Sequence, residues 1–224
     1  MLITYLFDPL CGWCYGACPA LEKLAAISGT VVELAPTGLF SGTGARPMDP
    51  SFAAYAWSND QRIARLTGQT FSDDYRSKVL QSFGQMFDSG PATLALTAVN
   101  LMQPDHEREA LKAIQKARYV EGLDVSSLTV LSEILASLGL NAVASAVLSP
   151  DLALIAANRQ RINMAQSLMR EIHATGVPAL IIERDGKRSP VPTSALFGGL
   201  EALVAELTIK PTASDRATKD PNFL

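Results

Sequence analysis

Strand signals stand at the two ends of this chain and are missing from the middle, which restricts the fold more than any other feature. Residues 2 to 7, LITYLF, mix β-branched, aromatic and aliphatic types and stop at Asp8-Pro9. After a helical pattern in which Leu21, Leu24 and Ala25 recur until Ser28-Gly29, TVVELAP (30–36) reads as a second strand. Strand character returns only after Gly176-Val177-Pro178, in ALIIE. There Arg184-Asp185-Gly186-Lys187 supplies a hairpin turn and SPVPT a proline-bearing edge strand. The two ends must meet in space to complete one sheet, with helices on its faces.

Between Asp49 and Thr175 the reading is helical, with no strand expected. Asp49-Pro50 is an N-cap with proline at the first helical position, opening a helix to about Leu66. Ser72-Asp73-Asp74 opens another and Pro91 a third. Asp105 is expected to cap a fourth, in which Glu107, Leu111, Ile114 and Arg118 mark one apolar and one charged side. Ser126 to Leu138, a short apolar piece from Asn141 to Leu148, and Pro150 to about Ala174 complete the block. A last helix runs from Ser194 to about Leu207, packing through Leu196, Leu200, Leu203 and Val204. The loop at 36–50, with Gly42-Thr43-Gly44, reads as a turn, because no Gly-Lys-Ser/Thr follows to make a phosphate cradle. The fold class is therefore α/β, ordered βαβ, helical insertion, ββα. Residues 1–48 and 175–209 form the discontinuous sheet domain, 49–174 the insertion and 210–224 a polar tail.

At 224 residues and 48% hydrophobic, the chain can bury a core without covalent staples. A net charge of −3 offers no broad basic field, so nucleic acid is not an expected partner. MLITYLF lacks a basic flank and ends too early for a signal peptide or a membrane span, so the expectation is a cytoplasmic protein with no membrane partner. Reducing conditions there favour catalytic or metal-binding cysteines over structural ones.

All three cysteines lie in DPLCGWCYGACP, residues 8 to 19. Cys11-Gly12-Trp13-Cys14 sits where a strand feeds a helix. Unpartnered peptide N–H groups and the positive end of the helix dipole favour a thiolate on the first cysteine there. Two intervening residues let the second sulfur reach the first and resolve a mixed disulfide on it.

The early strand, CGWC at a helix start, the long helical insertion and GVPALII before the hairpin together resemble the DsbA-like branch of the thioredoxin superfamily, over nearly the whole chain except the tail. The resemblance implies a thiol-disulfide oxidoreductase or isomerase with Cys11 as exposed nucleophile, Cys14 as buried resolving thiol and Pro178 as the cis-proline facing them. Trp13 at an exposed rim and Val177 beside the proline would meet substrate; Trp13 packed on the insertion is the alternative. The implied partners are protein or glutathione-like thiols and disulfides and a further redox partner, with no cofactor and no metal. Pro19 is similar to the helix-kinking proline of thioredoxins, and it removes the hydrogen bond to the Tyr15 carbonyl. Two positions depart from the pattern. Gly12-Trp13 differs from the familiar dipeptides, and Tyr5 stands where thioredoxins and DsbA carry a buried acid, which leaves the proton acceptor for Cys14 open, with Asp8 a nearby candidate.

Other readings attach to the same residues. Cys11, Cys14 and Cys18-Pro19 overlap part of a bacterial ferredoxin run, but no fourth cysteine exists, and Cys18 is expected to pack as a small buried thiol. Glutathione-dependent transferases and isomerases of the kappa and hydroxychromene-carboxylate types share the layout but usually carry a single serine or cysteine where the pair stands. A chaperone-like binding module is a third reading. His173 is expected at a helix end and His106 at the surface.

Overall fold

The computed structural model describes residues 1–184 and 186–208, without the side chains of Leu200 and Thr208. The tail from Lys210 and the turn residue Asp185 lie outside the described residues. The strands are β1 (Leu2–Phe7), β2 (Val31–Pro36), β3 (Arg46–Pro47), β4 (Met86–Phe87), β5 (Ala179–Arg184) and β6 (Lys187–Val191). The helices are α1 (Gly12–Ala25), α2 (Pro50–Thr67), α3 (Gly90–Met102), α4 (Glu107–Tyr119), α5 (Leu128–Ser137), α6 (Asn141–Leu148), α7 (Leu152–Glu171) and α8 (Leu200–Thr208).

The chain ends do share one sheet, in the order β2-β1-β5-β6. β1 runs parallel to β2 and antiparallel to β5, with Tyr5 opposite both Leu34 and Leu180. The period of two sorts β1 between faces. Ile3, Tyr5 and Phe7 join the main core with α1 and the insertion, while Leu6 packs with Ala179, Ile181 and Ala165 beneath α7. The parallel pairing sends the ends of β1 and β2 to the same edge, which is where the cysteine loop emerges.

Within the insertion several boundaries follow the expected caps. Asp49 Oδ1 accepts the Phe52 N–H at 2.8 Å and Pro50 opens α2. Other expectations need correction. Asp105 caps nothing: Pro104–His106 form a 3₁₀ turn, and α4 starts at Glu107 without a side-chain cap. Ser127, not Ser126, caps α5, and Asp151 caps α7, which ends at Glu171. After Ser72 the chain makes a π-helical turn, Tyr75–Leu80. Met86–Phe87 pair with Arg46–Pro47, so the insertion contains a short strand. The expected final helix is broken into a 3₁₀ turn, Thr193–Leu196, and α8, separated by Gly199 in left-handed backbone. Glu107 and Arg118 are buried on the same side of α4 as Leu111 and Ile114, because positions 107, 111, 114 and 118 recur at helical spacing. No described helix is long and apolar enough to cross a membrane.

Candidate active site

The cysteine loop is held from beneath by Asp8. This fully buried carboxylate accepts the N–H of Leu10 at 2.9 Å, the N–H of Phe40 at 3.0 Å and the Ser89 hydroxyl at 2.7 Å. Both of its oxygens are engaged with donors that fix the loop, and its charge also acts on the Cys14 thiol. Burial pushes the Asp8 carboxyl up; those donors and the charge of Arg118 oppose the shift.

Cys11 is the N-cap of α1. Its sulfur accepts the Cys14 N–H at 3.3 Å, so a peptide dipole of the first turn points at it. On its other side the Cys11 Sγ donates to the Val177 carbonyl at 3.6 Å, across a cis Val177–Pro178 bond. Thr193 Oγ1 ties the Pro178 carbonyl at 3.3 Å. Cys11 and Cys14 come within 3.1 Å of each other and both are free thiols. The exposed position expected for Cys11 is corrected: it is 6% exposed, closed in by the Val177 loop. Cys14 is wholly buried, and burial, reinforced by the Cys11 sulfur, pushes its thiol well up. The two sulfurs are thus unequal. One caps the helix at the mouth, and the other stays a protonated thiol behind it.

Trp13 takes the packed position rather than the exposed rim. It is 8% exposed, set edge-on to Phe197 with ring centroids 5.3 Å apart and covered by the Arg62 guanidinium at 5.5 Å. The aromatic surface is large enough that closing it under two neighbours outweighs leaving it wet. Cys18 Sγ donates to Gln115 Oε1 at 2.8 Å and to the Cys14 carbonyl at 3.6 Å, and burial pushes its thiol up to about 12. Pro19 deprives the Tyr15 carbonyl of its helical donor, and Gln69 Nε2 replaces it at 3.0 Å. Tyr5, at the position of the missing acid, is buried and donates to the Cys14 carbonyl at 3.1 Å.

The insertion contributes residues that sequence reasoning missed. Gly12 and Gly16 lie one turn apart on α1, and a Cβ on them would stand 2.4 Å from Asp60 Oδ1 and 2.6 Å from Ile63 Cγ2. The two glycines let α2 press directly on the dithiol helix. Asp60 is 4% exposed and accepts the Tyr75 hydroxyl at 2.9 Å. Tyr119 donates to the Leu10 carbonyl at 2.7 Å, beside the cysteine loop. Arg118 lies among the rings of Tyr75, Phe87 and Tyr119, 5.2–5.6 Å from their centroids, with its buried Nε unpartnered. One signal was available: Asp60 interrupts the stripe of Ala53, Ala56 and Ile63 along α2.

A four-stranded sheet with a dithiol capping its first helix and a cis-proline loop opposite defines a thioredoxin-fold dithiol protein. The model of the DSBA-like thioredoxin domain matches residues 2–202, and the chain belongs to that family. Among solved structures it is similar to the cytosolic disulfide reductase DsbM from Pseudomonas aeruginosa. Identity is 34% over 92% of this chain and 97% of that one, with a TM-score of 0.82. The same protein with GSH gives 33% identity, the same coverage and a TM-score of 0.81. A putative protein disulfide isomerase from Nitrosomonas europaea is 26% identical over 92% of this chain and 95% of that one, at a TM-score of 0.76. A search of curated proteins finds no match.

Proposed function

We propose that this protein reduces disulfides in the cytoplasm using glutathione-like thiols, with Cys11 as the attacking sulfur and Cys14 as the resolving one. The observation that carries the assignment is the asymmetry of the pair. Cys11 caps the helix and faces the Val177 loop, whereas Cys14 is a buried thiol whose ionisation is opposed. In the forward half-reaction the Cys11 thiolate attacks a substrate disulfide, forming a Cys11–substrate bond and releasing one substrate thiolate, which takes up a proton. Cys14 then gives up its proton and attacks Cys11, forming the Cys11–Cys14 disulfide and releasing the second substrate thiol. Two electrons have passed to the substrate. Two glutathione molecules restore the dithiol through a Cys11 mixed disulfide, leaving as glutathione disulfide.

Val177 offers its backbone beside the sulfur to an extended substrate, Pro178 fixes that backbone in place, and Trp13 shapes the rim from its covered position. The direction and the reductant are supported by the likeness to DsbM and by its structure with GSH. Equilibration in glutathione buffers, with alkylation of free thiols, tests the reading. The expected potential lies at or above a glutathione poise of about −220 to −260 mV. A value more than about 60 mV below that range, a hundredfold in equilibrium constant, would leave glutathione unable to reduce the pair.

A further inference from the structure

Asp60 of α2 is a buried carboxyl that the insertion sets against the first turn of α1, at Gly12 between the two sulfurs in sequence, while Arg62 of the same helix lies over the neighbouring Trp13. Gly12 carries no Cβ, and the carboxyl uses that space. The groups around Asp60 come from each element that packs on it. The π-helical turn brings Tyr75 and α4 brings Arg118 and Tyr119; through Arg118 the cluster reaches Asp8, and through Tyr119 it reaches Cys11. Among these, two buried carboxyls share one guanidinium, so both cannot be fully compensated as anions. Asp8 has three donors. Asp60 has the Tyr75 hydroxyl.

We propose that Asp60 is a positioning residue of the dithiol, fixing the first turn of α1 through Gly12 and making disulfide exchange respond to pH through its own charge. The inference rests on the redox reading of Cys11 and Cys14. When Asp60 is a neutral acid, the positive end of the α1 dipole acts on Cys11 undiminished. When it loses its proton, a negative charge lies against that turn and disfavours a thiolate there, so the reduced pair becomes less stable relative to the disulfide. Burial pushes the Asp60 carboxyl up to about 7, which puts the change within the working range of a cytoplasmic enzyme.

The test compares parent and Asp60→Asn for the equilibrium constant of reduction by glutathione between pH 5.5 and 8.5. The amide keeps the shape at Gly12 and cannot change charge. The expected ratio, variant over parent, is near one at pH 5.5 and rises roughly three- to tenfold above pH 8, with its midpoint near pH 7. A ratio independent of pH overturns the inference while leaving the redox reading intact. Failure of the parent itself to equilibrate with glutathione overturns the redox reading, and this inference with it. Tyr75→Phe supplies a second measure in a chain that retains Asp60. It removes a donor that favours the carboxylate, so the inflection of the parent curve should move to higher pH, and an unmoved inflection counts against Asp60 as its source.

Discussion

Two buried charge clusters hold the insertion to the sheet, and they are compensated differently. Far from the sulfurs, Glu107 of α4 pairs with Arg161 of α7, and both oxygens of its carboxylate are used: one takes the guanidinium, the other accepts Asn100 Nδ2 at 2.8 Å. Arg161 also donates to the Leu34 carbonyl at 2.7 Å, tying α7 to β2. Beneath the dithiol, Arg118 faces two carboxyls, Asp8 and Asp60, and binds neither in an ion pair among the described residues. Burial leaves Glu107 raised even though Arg161 and Asn100 oppose the shift, while Asp60, opposed by the Tyr75 hydroxyl and the charge of Arg118, is carried to about 7. A matched cluster acts as a strut. A mismatched one keeps a proton in play, and this one lies beside the cysteine pair.

Breaking the matched cluster should have the largest effect on stability. Arg161→Leu leaves Glu107 buried without its cation, and urea unfolding should show a loss of about 3–5 kcal/mol. Most of that loss should be recovered in Glu107→Leu/Arg161→Leu. A loss below about 1 kcal/mol in the single variant would show that the two clusters do not differ in this way.

The mismatched cluster should reveal itself through pH. The native Asp60 carboxyl holds its proton up to about pH 7, whereas in the unfolded chain it ionises near the ordinary aspartate value of about 3.9. Between these values the native state binds more protons, so stability falls as pH rises through the window and the cost is fully present above it. Asp60→Asn removes that dependence. Relative to the parent it should gain stability from pH 4 to pH 8, by up to about 4 kcal/mol at the upper end. Parallel stability curves would remove Asp60 from the account.

A neutral contact offers the smallest case. The Tyr15 carbonyl, left open by Pro19, has Gln69 as its replacement donor, so Gln69→Ala should cost about 1 kcal/mol. In a Pro19→Ala background, where the helix can supply its own N–H, the cost should shrink toward zero, and a double-mutant cycle in urea reads the difference.

What the sequence made legible was local. The strand that ends at Asp8-Pro9, the helix opening at the cysteines and the Asp49-Pro50 cap all depend on neighbours within a few positions, and such signals survive in a linear reading, whereas the cis Val177–Pro178 bond followed from the family resemblance. The second wall of the site was not legible, because Asp60, Tyr75, Arg118 and Tyr119 come from three separate stretches of the insertion and meet only through tertiary packing. Arg118 was read as a marker of α4's two-sided pattern, yet it is buried among rings. The choice between rim and packed positions for Trp13 was not legible for a related reason: Phe197 and Arg62, which cover it, are far away in sequence. The Met86–Phe87 strand is two residues long, too short to leave a period of two.

The unequal roles of the two sulfurs are the centre of the account, and covalent trapping tests them most directly. Each of Cys11→Ser, Cys14→Ser and Cys18→Ser is incubated briefly with glutathione disulfide and examined by intact mass spectrometry. Cys14→Ser should accumulate a glutathione adduct, because attack by Cys11 survives while release by the second sulfur is lost. Cys11→Ser should trap far less, and Cys18→Ser should exchange at a rate near that of the parent, since its thiol is turned to Gln115. Equal trapping by Cys11→Ser and Cys14→Ser, or an adduct confined to Cys11→Ser, would contradict the assignment.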